Sequence, residues 1–121
     1  MITHLKFASI PVSDQARALE FYTQKLGFRV VTDQQFDEQQ RWIELRIGNS
    51  QTRIVLFTPE GHEDRIGGFF PGSFACDDVA ATYRQLRQRG VEFVSEPKQE
   101  PWGTFAIMKD PDGNQFVVGS G

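Results

Sequence analysis

The stretch Ser13–Gly27, "SDQARALEFYTQKLG", reads as a helix with both ends marked. Ser13 or Asp14 can accept from the backbone N–H groups of the first turn, and Ala18, Leu19, Tyr22 and Leu26 recur on one side at helical spacing. Gly27 supplies the left-handed stop. A strand candidate, "HLKFASIPV" (4–12), precedes it. Three more follow, "FRVVTDQQF" (28–36), "RWIELRI" (41–47) and "TRIVLFT" (52–58), with "GNSQ" (48–51) turning the last two.

The same order then recurs. "SFACD" (73–77) leads into "DVAATYRQLRQRG" (78–90), where Val79, Tyr83 and Leu86 form the apolar stripe. "VEFVSE" (91–96), "GTFAIMK" (103–109) and "QFVVG" (115–119) come after it. Adding 63 carries Asp14 to Asp77, Gly27 to Gly90, Val31 to Val94, and the "GNS" turn to "PDG". Matching helix starts, helix stops and hairpins predict an α+β fold of two βαβββ modules, about 1–60 and about 68–121. Each half is too small to close a core alone, so a single domain over 1–121 is expected. "TPEGHEDRIGGFFPG" (58–72) connects the modules.

The segment "KDPDGNQFVVGSG" (109–121) poses a choice between a cation loop and a turn. Asp110, Asp112 and Asn114 alternate, but an EF-hand loop needs glycine sixth and a bidentate glutamate twelfth; here Gly113 is fourth and no glutamate follows. Turn chemistry fits better: Pro111 presets φ, Asp112 follows it, and Gly113 takes φ > 0 in a bulged hairpin.

The 121 residues are 39% hydrophobic and 24% charged, with net charge −3, which recommends neither a nucleic acid nor a membrane surface as partner. "RQLRQRG" (84–90), the densest basic run, reads as a solvated helix face. The single Cys76 favours a reducing compartment, and no run of residues approaches membrane-spanning length or resembles a leader. A cytoplasmic protein is expected.

Paired modules with "IPVSDQARALEFYTQKLGFRVV" (10–31) in the first and "PWGTFAIMKDPDGNQF" (101–116) in the second resemble the vicinal oxygen chelate superfamily. That group includes glyoxalase I, extradiol dioxygenases, fosfomycin-resistance enzymes and bleomycin-resistance proteins. The resemblance spans essentially the whole chain. It implies curved mixed sheets around a concave cavity, helices outside, and a homodimer. One such scaffold hosts several chemistries, so the activity must be argued from the site.

Metal-dependent members take His or Gln, Glu, His and Glu from the first and last strands of each module. By this resemblance the corresponding positions are Phe7, Leu56, Pro71 and Val117, and none carries a side-chain lone pair. Register shifts by one or two residues do not restore a ligand set, so no metal and no other cofactor is expected. His4 reads as a strand-end surface residue, His62 as part of a polar loop, and Cys76 as a small buried group rather than a nucleophile.

Strand alternation turns Ile43, Leu45 and Ile47 to the helices and Trp42, Glu44 and Arg46 to the concave side. The same parity adds Phe105, Ile107 and Lys109, together with Phe7, Ser9, Ile54, Leu56, Ser73, Gln115 and Val117. Phe69, Phe70 and Trp102 are placed in loops at the rim. Three functions fit this lining. The leading one is a metal-free protein that binds a partly aromatic small molecule, as resemblance to bleomycin-resistance proteins implies. The second is a lyase, isomerase or dioxygenase with Glu44 as acid–base and Arg46 as oxyanion partner. The third is an association module with a closed cavity.

Overall fold

The structure, a computed structural model, describes residues 1–35, 37–38 and 41–120; the expected strand end at Phe36 lies outside them. The chain divides into two compact units, Met1–Ile66 and Gly67–Gly121.

In the first unit, strands β1 (Phe7–Pro11), β2 (Arg29–Gln35), β3 (Arg41–Arg46) and β4 (Arg53–Phe57) form a sheet in the order β1-β4-β3-β2. β1 lies parallel to β4, and the remaining pairs are antiparallel. Helix α1 (Gln15–Glu20) starts where the Asp14 carboxylate accepts from Arg17 N–H at 3.1 Å. The helix packs on β3 and β4, and Gln15 Nε2 ties it down by donating to the carbonyls of Arg41 and Leu56. Ala18, Phe21 and Tyr22 from the helical segment, with Ile10, Ile43, Leu45, Ile54 and Leu56 from the sheet, are buried.

The second unit repeats the plan. Strands β5 (Phe69–Ala75), β6 (Glu92–Glu100), β7 (Gly103–Lys109) and β8 (Gln115–Gly119) are ordered β5-β8-β7-β6, with β5 parallel to β8. Helix α2 (Val79–Gln88) packs on β6 and β7. Phe74, Phe116 and Phe70 make one aromatic cluster, with ring centroids 5.3–6.0 Å apart.

The repeat is not at a constant spacing. The helix caps are Asp14 and Asp78, an offset of 64 rather than the expected 63 to Asp77. The positive-φ stops Gly27 and Gly90 are 63 apart. The first unit therefore has one extra residue between cap and stop, and α1 continues into a wider turn at Phe21–Lys25, where Leu26 N–H bonds the Phe21 carbonyl. A second residue is lost at the hairpins. Six residues separate the paired Arg46 and Arg53, against five between Lys109 and Gln115.

The 110–114 segment is a turn, as expected. Gly113 has φ 83° and its N–H donates to the Asp110 carbonyl at 3.0 Å. The buried Asp110 carboxylate accepts from the N–H groups of Asp112 and Asn114, both at 2.9 Å, and from Asn114 Nδ2 at 2.8 Å. Asn114 Oδ1 accepts in turn from Gly67 N–H at 2.8 Å, fastening the start of the unit to its last hairpin. This carboxylate is spent on the backbone.

Phe69 and Phe70 lie in β5 rather than in a loop, and Phe70 turns toward the helix-side cluster, which corrects its expected place at the rim. Gly72 permits this, because a Cβ there would stand 2.5 Å from Phe70 Cε2. No helix among the described residues is long and apolar enough to cross a membrane.

Three outcomes follow from this packing. Asp110→Ala strips the acceptor from three donors and should cost about 2–3 kcal/mol in urea denaturation, while Asp110→Asn, which keeps one acceptor oxygen, should cost less. Gly72→Ala must displace the Phe70 ring and should cost about 1–3 kcal/mol by the same measurement. The third concerns Asp33, which Arg41 grips with two 2.6 Å bonds, holding its carboxyl below the ordinary 3.8. A depressed carboxyl stabilises the fold above its unfolded value and loses that contribution as pH falls through the folded one. Below about pH 4, wild type should therefore lose about 0.5 kcal/mol more than Asp33→Asn in thermal melts at stepped pH.

Candidate functional site

Each sheet has one face covered by its helix and one face turned away. Cross-strand partners share a face, so the pairing decides which residues meet. In the first unit Ile10, Leu56 and Ile43 form one row, and all three are buried on the helix side. The adjacent row is Ser9, Val55 and Glu44, on the other face. Leu56, fully buried, therefore belongs to the helix-side core, and Ile54 joins it there beside Leu45. The expected lining positions in β4 are one residue off, and Arg53, Val55 and Phe57 occupy that face.

Phe7, Ser9, Trp42, Glu44 and Arg46 do share the face away from the helix, as alternation predicts. The Phe7 and Trp42 rings meet edge to face, with centroids 5.6 Å apart and planes at 85°. Trp42 Nε1 donates to Glu44 Oε1 at 3.3 Å, and Arg53 Nη1 donates to Glu44 Oε2 at 2.9 Å. Both carboxylate oxygens are thus engaged, from either side, by groups standing on two strands. The arrangement fixes the indole on a rigid sheet. Arg53, which sequence reasoning did not single out, completes the cluster. Its signal was the hairpin length, which sets which residue of β4 lies opposite Arg46.

In the second unit Ser73, Val117 and Ile107 form the corresponding row, with Phe105, Lys109 and Gln115 on the same face. Trp102 sits in the turn between β6 and β7, 65% exposed, and stacks on Phe105 at 5.4 Å with planes 20° apart. Phe69 is 57% exposed. Trp102 and Phe105 make a continuous aromatic surface; Phe70 does not belong to it.

Three buried side-chain atoms lack a hydrogen-bond partner among the described residues: Arg46 Nε and Arg53 Nε in the first unit, and Ser95 Oγ in the second. A depression of about 400 Å³ lies elsewhere, bordered by Val12, Ser13, Thr58, Pro59, Glu60, Glu63 and Ile66. It has no aromatic wall and none of the expected lining residues touches it. Beside it the exposed Glu63 carboxyl is lowered by its own N–H and that of Gly61.

The positions at which the chelate's ligands were expected do not fit a divalent ion. Phe7, Pro71 and Val117 offer no donor, and the residue that takes the β4 place, Val55, offers none either. Among the described residues no three His, Cys, Asp or Glu side chains gather. His4 is exposed beside the Thr3 hydroxyl, His62 is exposed in its loop, and Cys76 is half-buried at the end of β5.

Comparison with known proteins agrees with this architecture. A family model for the Glyoxalase/Bleomycin resistance protein/Dioxygenase superfamily matches residues 2–118. Uncharacterized protein YetH of Bacillus subtilis (strain 168) is 34% identical, with 98% of each chain covered. A superfamily member from Sphaerobacter thermophilus DSM 20745 superposes with TM-score 0.90 at 36% identity, covering 99% of this chain and 98% of that one. TnmS3, an antibiotic binding protein from Streptomyces sp. CB03234, superposes with TM-score 0.83 at 34% identity, covering 98% and 96%. The strand order, the duplicated plan and these matches together make the chain a member of the Glyoxalase/Bleomycin resistance protein/Dioxygenase superfamily.

Proposed function

We propose that the chain is a metal-free small-molecule binding protein that holds a partly aromatic ligand against the sheet face away from its helices. The observation that carries this reading is the Trp42 indole, set edge to face with Phe7 and fixed by Glu44 and Arg53. Rings held by strands lose little freedom when a flat ligand stacks on them, and each good aromatic pair contributes about 1 kcal/mol beyond its burial. Trp102 stacked on Phe105 supplies a second such surface. Likeness to an antibiotic binding protein supports ligand capture over turnover. So does the engagement of both Glu44 oxygens, which argues against its use as a general base.

The same proposal includes a cytoplasmic homodimer. The outer strands β2 and β6 expose Val30, Val31 and Val94, apolar side chains that a second copy would cover. The lone cysteine suits a reducing compartment.

Native mass spectrometry of untagged protein, purified without chelator or added metal, tests the reading. The expected spectrum is a dimer with an organic adduct and no metal increment, and Trp42→Ala should lose the adduct while remaining folded. A stoichiometric nickel, zinc, iron or manganese increment would overturn it in favour of a metalloenzyme.

A further inference from the structure

The open face of the first sheet carries an unusual row. Arg29 on β2 is the cross-strand partner of Arg46 on β3, and Arg46 is the partner of Arg53 on β4. Like charges directly opposite each other weaken a sheet, so three adjacent guanidiniums run against ordinary strand pairing. A local rule broken without compensation marks a functional place. Only one carboxylate, Glu44, stands on this face among the described strand residues, and it bonds Arg53. Arg29 reaches the Gly48 carbonyl at 3.3 Å. Arg46 and Arg53 each keep a buried Nε–H with no acceptor among the described residues. A buried donor left unmade is costly, and a guanidinium pair offers the forked geometry that suits an oxyanion.

We infer that Arg46 and Arg53 form an anion subsite, and that the ligand is an aromatic molecule bearing a carboxylate, sulfonate or phosphate. Its rings lie against Trp42, and its anionic oxygens accept from the two guanidiniums. This rests on the ligand-binding reading above and sharpens it to a charge class. Phe7 is the next partner in the same row, beside Arg53, and Trp42 stands two residues before Glu44 on the same strand, so ring and charge recognition adjoin. Glu44 acts as the stand-in acceptor for Arg53 until the ligand arrives.

Two fluorescent probes separate the ideas. One is 8-anilinonaphthalene-1-sulfonate, and the other is N-phenyl-1-naphthylamine, the same rings without the sulfonate. Arg46→Gln and Arg53→Gln should each raise the Kd of the sulfonate about tenfold, as loss of a charge-assisted bond implies, and Arg46→Gln, which leaves the Trp42–Glu44–Arg53 cluster intact, should keep the neutral probe within about twofold. Glu44→Gln should tighten the sulfonate by releasing Arg53, a gain that damage to the fold would not produce. Circular dichroism melts establish that each variant is folded; should one arginine variant unfold, the other and Glu44→Gln decide. Binding of the neutral probe with sulfonate affinity absent, or equal in all variants, would overturn the anion subsite and leave the aromatic site standing. Failure of wild type to bind either probe would overturn the aromatic site itself, and the subsite with it.

Discussion

In each unit the first strand pairs in parallel with the last, β1 with β4 and β5 with β8, and the remainder of the structure depends on that pairing. Parallel neighbours cannot be joined by a tight turn, so the chain must leave the sheet and return. The helix made on the way covers one face and no element of its unit covers the other. The two faces follow from this asymmetry. Ile10, Leu56 and Ile43 are sealed under α1, while Ser9, Val55 and Glu44, one residue along, line the opposite side. A face open to a partner is then a by-product of topology, since a sheet covered on one side only must find something to set against the other.

What occupies that face sets the chemistry. In the first unit the polar groups on that face gather around the end of the β3–β4 hairpin. Guanidiniums on adjacent strands, a single carboxylate and an indole can select a ligand by shape and charge. The Asp110 carboxylate, the most conspicuous acid in the sequence, is buried and consumed by turn amides. Its role is to fix where β8 begins, and so which side chains β8 turns outward.

Much of this was legible in the sequence. Helix caps, left-handed stops and strand alternation act within a few residues, so the two βαβββ modules and the outward set Trp42, Glu44 and Arg46 could be read directly. The misplacement of the β4 residues has one origin: parity was carried across connections whose lengths were not known. The offset drifts from 64 at the helix caps to 63 at the stops, and one more residue is lost at the hairpins. A one-residue slip exchanges the faces of a strand, which moved Leu56 from lining to core and hid Arg53. Phe70 was misplaced for a different reason. A glycine beside two phenylalanines resembles a loop, and only the aromatic cluster with Phe74 and Phe116 shows why a strand needs a gap at Gly72.

The wide turn at Phe21–Lys25 bears on how such a chain could have come from two copies of one ancestral half. An inserted residue inside a strand would exchange inner and outer side chains for the rest of its length. Inside a helix the same residue makes a local swelling, and the backbone resumes its course with Gly27 still at the stop. The helix thus works as a length buffer, and so does the hairpin loop. Changes of length taken up in these two places leave the faces of the flanking strands as they were.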